Sequence, residues 1–267
     1  MQATIGDRRV AYDVHGRGVP LLLMHAFPLN RTMYHEQAQG LSDAARVITF
    51  DAPGVGNSEP GAVSMDALAD LAARLLDNLG FDKAVVGGVS MGGYAALAFQ
   101  RRHPDRLLGL LLASTRAAAD SDSGRQARRE SAEKARREGS AAIAEAMLPK
   151  LLTTTTHRRN RRLVERVRAM IESTPPETIV ALLEALAERP DSTPLLANIR
   201  VPTLVIAAEE DVITPPAETR DWAALIPDAH LVEAPGAGHL VNLEAPELFN
   251  RATVQLLHQL QPAMRAS

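Results

Sequence analysis

The stretch Gly87-Gly-Val-Ser-Met-Gly-Gly93 constrains this chain more than any other, because it joins an apolar run that reads as a buried strand to an alanine-rich run that reads as a helix. A strand can pass so abruptly into a helix only through a sharp, strained turn. At such a turn the side chains two residues either side of the apex, Ser90, would collide, so glycine is needed at Gly88 and Gly92. The pattern alone is weak evidence, since a glycine-rich turn after a strand needs no chemistry to explain it. The flanks and the rest of the chain must supply partners for the serine.

Along the chain, apolar runs alternate with helical patterns. Ala3 to Ile5 and Val10 to Val14 are short alternating runs around Gly6-Asp7, a hairpin signal that predicts an antiparallel start to a sheet. Val19 to Met24 is continuously apolar, as expected of a strand buried on both faces, and ends in the loop His25-Ala-Phe-Pro28. A helix from about Arg31 to Leu41 and a strand over Arg46 to Phe50 follow. The turn-rich Asp51-Ala-Pro-Gly-Val-Gly-Asn-Ser58 lacks both the Gly-Lys-Ser/Thr ending of a P-loop and the third glycine of a dinucleotide fingerprint, so it does not read as a phosphate cradle. Ser64 to Gly80 is an amphipathic helix, Lys83 to Val86 a strand, Met91 to His103 a helix closed by Pro104, and Leu107 to Ala113 another apolar strand. This spacing implies right-handed crossovers and a mostly parallel sheet.

From Arg116 to Arg189 only helical patterns occur: Gly124 to Glu138, Ala141 to Leu152, Arg158 to Ile171 and Glu177 to Glu188. A helical block inside a strand–helix alternation reads as a cap over the carboxyl ends of the strands, where open α/β sheets bind ligands. Residues 1–115 and 196–267 then form the core and 116–195 the cap. The cap is rich in arginine, at 125, 128, 129, 136 and 137 and again at 158, 159, 161 and 162. These read as solvated faces paired with Glu130, Glu133, Glu138 and Glu165; the sharper alternative is an inward arginine holding a substrate carboxylate. The alternation resumes with strands over Thr203 to Ala208 and His230 to Ala234, helices over Ala217 to Ile226 and Pro246 to Leu260, and the loop Pro235-Gly-Ala-Gly-His239.

Twenty-nine basic residues against thirty-two acidic ones give a formal charge of -3, which offers no global attraction to nucleic acid or an anionic membrane. With no cysteine, disulfides, thiolate metal sites and a cysteine nucleophile are excluded. The N-terminal charges are not followed by an apolar stretch, and no run approaches the length of a membrane span, so a cytoplasmic protein is expected, as a monomer or small homo-oligomer.

A serine alcohol needs a base to take its proton and an acid to hold that base in one tautomer. Both must lie at the sheet edge that carries Ser90. Asp211 follows one late strand and His239 the next, giving the order Ser90, Asp211, His239. Glu209 and Glu210 compete with Asp211, which is favoured because it stands furthest past the strand, before the turn at Thr214-Pro215. Oxyanion donors are expected from the amide of Met91, at a helix start, and from the loop after Met24, where Phe27 is best placed. His25 reads as fixing that loop. No His-x-x-x-His spacing or cofactor motif occurs, so metal-free, cofactor-free chemistry is expected.

With His25-Ala-Phe-Pro28, Asp51 to Ser58, Gly88-Val-Ser-Met-Gly92, Glu210-Asp211 with Thr214-Pro215, and Gly236-Ala-Gly-His239 in this order, the chain resembles the α/β-hydrolase superfamily over nearly its whole length. It is most similar to bacterial carboxylesterases, enol-lactonases and cofactor-free haloperoxidases. The resemblance implies an α/β-hydrolase fold, with a mostly parallel eight-stranded sheet flanked by helices and an inserted helical cap. It implies Ser90 as nucleophile, His239 as base, Asp211 as orienting acid and the Phe27 and Met91 amides as oxyanion hole, acting on a small ester or lactone. Pro28 resembles the haloperoxidase-type loop, which makes peracid formation a side activity to test. Ala26 stands where these families usually have glycine and Val89 where they commonly have histidine. A serine at position 90 disfavours the aspartate-nucleophile branches. Alternatives are a lyase or carbon–carbon hydrolase using the same triad, and a small-molecule receptor that keeps it.

Overall fold

A computed structural model describes residues 1–264. Its strands are β1 (Gln2–Ile5), β2 (Arg8–Gly16), β3 (Val19–Met24), β4 (Ala45–Phe50), β5 (Ala84–Val89), β6 (Leu107–Ala113), β7 (Thr203–Ala208) and β8 (Ala229–Ala234). They form one eight-stranded sheet in the order β1-β2-β4-β3-β5-β6-β7-β8. The β1–β2 and β2–β4 pairs are antiparallel and the remaining five are parallel. Every residue of β3, β5 and β7 is buried, which requires a covering layer on each face.

The helices are α1 (His35–Gly40), α2 (Met65–Asn78), α3 (Met91–Arg102), α4 (Asp122–Leu151), α5 (Thr154–Arg159), α6 (Arg161–Glu172), α7 (Pro176–Ala187), α8 (Thr193–Leu196), α9 (Pro216–Ala223), α10 (Val241–Glu244) and α11 (Pro246–Met264). Around the sheet α2 packs on α3 and α1 on α11, while between β6 and β7 α4 packs on α6 and α7. Ser64 caps α2 by accepting from the Ala67 amide at 3.0 Å, and Thr153 caps α5 by accepting from Thr156 at 3.1 Å.

Several boundaries differ from the sequence expectation. The expected helix at Arg31 opens as a 3-10 turn over Arg31–Tyr34 before α1 begins. β5 continues through Gly87 and Gly88, which pair in register with Leu23 and Met24, instead of stopping at Val86. The two helices expected over 124–152 are present as the two halves of α4, separated at Gly139, whose φ of 78° and ψ of -178° are not helical; the start, at Asp122, differs by two residues. The run expected from Arg158 begins earlier, at Thr154, and breaks at Asn160.

The Asp51 to Ser58 segment is held by ion pairs and hydrogen bonds. Asp51, with no exposed side-chain surface, accepts from the Arg31 amide at 2.9 Å and the Asn57 amide at 3.2 Å and pairs with the Arg31 guanidinium, which also reaches Asp13 at 2.7 Å. The Ser58 hydroxyl donates to the Asp51 carbonyl at 2.8 Å.

Candidate active site

Ser90 lies between β5 and α3 with φ 55° and ψ -113°, a conformation rare for any residue but glycine. Its neighbours explain how the strain is held. A Cβ at Gly88 would sit 2.3 Å from the Met24 carbonyl oxygen and 2.7 Å from the Gly92 Cα, and one at Gly92 would sit 1.9 Å from that same oxygen. The backbone on either side is fixed as well. The Ser90 amide donates to the Ala113 carbonyl at 2.9 Å, and the Ser90 carbonyl accepts from the Thr115 hydroxyl at 2.9 Å.

Asp211 and His239 follow β7 and β8 at the edge of the sheet that carries Ser90. Their side chains meet: His239 Nδ1 stands 2.8 Å from Asp211 Oδ2, with both groups buried. The carboxylate is otherwise saturated by the amides of Ile213 at 2.8 Å and Thr214 at 2.9 Å and by the Thr214 hydroxyl at 2.5 Å. Burial works to raise the Asp211 carboxyl. The His239 charge and hydrogen bond, with those of Thr214, outweigh it and hold the group below the usual carboxylate range. An ionised Asp211 makes His239 Nδ1 the donor and leaves the Nε2 lone pair free to accept. Glu209 and Glu210 are exposed, and Glu209 accepts from the Gly236 amide at 2.8 Å, so neither competes for the imidazole.

Beyond the end of β3, Ala26 and Phe27 are buried. Among the described residues, neither the Phe27 nor the Met91 amide donates to a protein acceptor, so both remain available to a ligand. His25 is wholly structural in its contacts. Its Nδ1 donates to the Ala26 carbonyl at 3.0 Å and its Nε2 accepts from the Ala52 amide at 3.0 Å, which requires the neutral ring. Burial accordingly pushes its pKa below the ordinary histidine value.

Tyr34, which no motif marks, links the two loops. Its hydroxyl donates to the Met24 carbonyl at 2.7 Å and accepts from the Val89 amide at 3.0 Å, so one buried phenol joins the end of β3 to the residue before Ser90. Burial pushes this phenol well above the usual tyrosine range, which keeps it a donor. Thr174, between α6 and α7, donates to the Pro28 carbonyl at 3.0 Å and so ties the Phe27 loop to the helical segment.

The arginines of that segment divide. Arg136 pairs with Glu133 and Glu184, and Arg137 with Glu138. Arg158, Arg159, Arg161 and Arg162 are exposed without a carboxylate partner among the described residues. The inward arginine is Arg189, whose head is occupied by Asp120 at 2.7 Å and lies 4.2 Å over the Tyr94 ring. Among the described residues no cluster of three or more His, Asp or Glu side chains is placed to hold a metal ion, and no helix is long and apolar enough to cross a membrane.

A sequence profile described as the alpha/beta hydrolase fold matches residues 19–246, a span that contains every element and side chain of this site. The chain belongs to the α/β-hydrolase family. Among solved structures of this family, a thermophilic esterase from Thermogutta terrifontis, solved with malate bound, superposes with a TM-score of 0.93 at 44% identity over 97% of this chain and 96% of that one. An enol-lactonase from Burkholderia xenovorans superposes at 0.90, with 29% identity over 97% of this chain and the whole of that one. A putative non-heme bromoperoxidase, BpoC, from Mycobacterium tuberculosis is 29% identical over 92% of this chain and 96% of its own length. This α/β-hydrolase is thus similar to an esterase, a lactonase and a bromoperoxidase.

Proposed function

We propose that the protein is a serine hydrolase cleaving small carboxylic esters or lactones through an acyl-enzyme. Ser90 Oγ attacks the substrate carbonyl while His239 Nε2 takes its proton; Asp211 holds the imidazole in that tautomer and stabilises the imidazolium. The oxyanion is received by the amides of Phe27 and Met91, the second at the positive end of α3. His239 returns the proton to the leaving oxygen, and water attacks the acyl-enzyme by the same steps in reverse. No step draws on a metal ion.

The observation that carries this reading is the buried 2.8 Å contact between Asp211 and His239, at the sheet edge where Ser90 is held at positive φ. The esterase and enol-lactonase relatives support the substrate class. The test is a p-nitrophenyl acetate and butyrate series with enol-lactone and thioester controls. A burst of p-nitrophenol is expected from the parent, and Ser90→Ala should lower turnover by at least about 10³-fold. Absence of both burst and turnover on short esters, thioesters and lactones would overturn it. Poor esterase activity together with thermal protection by a carboxylated ring compound would instead favour carbon–carbon bond cleavage by the same residues.

A further inference from the structure

The proposed base stands in a loop, and a loop aims a side chain only as well as its backbone is held. The amide beside His239 is held by a carboxylate for which the reaction has no use. Glu244, the last residue of α10, accepts through Oε2 from the Gly238 amide at 2.8 Å. Through Oε1 it accepts from the Thr153 amide at 2.9 Å and the Thr153 hydroxyl at 3.0 Å. Gly238 immediately precedes His239, and Thr153 caps α5 in the helical segment between β6 and β7. On the other side of the histidine, the Leu240 amide donates to the Leu151 carbonyl at 3.1 Å. Both neighbours of His239 are therefore fastened to the same corner, Leu151 to Thr153, one directly and one through Glu244. The corner is closely packed: a Cβ at position 238 would lie 2.8 Å from Glu244 Oε2 and 3.2 Å from the Thr153 amide nitrogen.

We propose that Glu244 is a positioning residue for the acyl-transfer reaction, fixing the aim of His239 at Asp211 and making that aim depend on the docked helical segment; this rests on His239 being the base. The chemistry of the bridge selects glutamate. Three donors converge on two oxygens, whereas an amide offers one acceptor oxygen and would turn its own N–H groups toward a donor at the other end. Aspartate keeps the charge but is one methylene shorter, so it cannot span Gly238 and Thr153 from the same Cα.

The experiment compares Glu244→Asp, Glu244→Gln and Glu244→Ala with the parent on p-nitrophenyl butyrate, alongside amide hydrogen exchange. Expected are kcat losses of about tenfold or more for Asp and Ala, the range typical of residues that orient an active group from behind, with a smaller loss for Gln and KM within about twofold throughout. Exchange at the Gly238 and Thr153 amides should quicken together in the Asp variant. A merely electrostatic influence of the carboxylate would leave Glu244→Asp parent-like and make Gln and Ala equal. That outcome, or all three variants within twofold of the parent, overturns the proposal. Glu244→Gln is isosteric and keeps the comparison open if Ala fails to fold. Were the parent inactive on every acyl substrate, the hydrolase reading would fall, and unchanged protection of Gly238 and Thr153 in Glu244→Asp would still overturn the bridge.

Discussion

At Gly92 the obstacle to any side chain is a backbone oxygen 1.9 Å from where Cβ would stand, and that oxygen belongs to Met24, which is fixed between β4 and β5. At Gly139 a Cβ would meet nothing within 4 Å, and only the φ of 78° resists it. The two positions should separate steric from conformational cost. Gly139→Ala is expected to lose about 1–3 kcal/mol, the cost of forcing a side chain into a conformation (φ 78°, ψ -178°) that essentially only glycine adopts, and Gly92→Ala more than that or to yield no folded protein, as read by urea unfolding. His25 carries a second prediction. Because burial depresses its pKa, the unfolded chain takes up a proton that the folded one refuses, so its contribution is present above the ordinary histidine value and is lost as pH falls from about 6.5 toward the depressed folded value. Tm should fall from pH 7.5 to 5, and His25→Gln should be less stable at pH 7.5 with a flatter profile over that interval. The turn at Ser90 and the meeting of Asp211 with His239 were legible because each residue follows a strand in an ordered series. Tyr34 and Glu244 were not, since a tyrosine in a 3-10 turn and a glutamate on a four-residue helix reach their partners only through tertiary packing.

Among the elements, the helical segment is fastened to the rest of the fold by buried polar contacts at several places. Thr174 holds Pro28, Thr178 donates to the Gly54 carbonyl at 3.2 Å, and Glu244 bridges to Thr153. Near its two ends, Asp120 lies between Arg128 and Arg189, and Arg189 stacks on Tyr94 of α3, the helix that follows Ser90. Burial raises the Asp120 carboxyl, but the two guanidiniums more than offset this and hold it low. Asp120→Asn would leave Arg189, with a side chain only 3% exposed, without its counter-charge. A loss of about 3–5 kcal/mol is expected in urea unfolding, and a loss under about 1 kcal/mol would show the pair to be solvated. Strands β3, β6 and β7 were legible to the residue because unbroken apolar runs have one explanation. The end of β5 was misplaced because glycine in a strand mimics a turn until a neighbouring strand is seen against it. The Asp120–Arg189 pair joins the two ends of a long insertion, and no periodicity reports that.

For the whole molecule, strand–helix alternation interrupted by helices was enough to give a mostly parallel sheet, because crossover handedness and burial on both faces leave few other solutions, and the family resemblance supplied its eight strands. How the interrupting helices pack was not legible, since their amphipathic faces do not name the partner each one covers. The sheet order also has a consequence for synthesis. Ser90 follows a central strand, β5, and emerges early, whereas Asp211 and His239 follow β7 and β8, the last two strands at one edge, after the entire helical segment has been made. At the usual rate of translation the nascent chain carries Ser90 without its proposed base for on the order of ten seconds. If the proposed mechanism holds, Ser90 would become acylatable only when the final strand joins the sheet, so an unfinished chain on the ribosome should be inert toward esters.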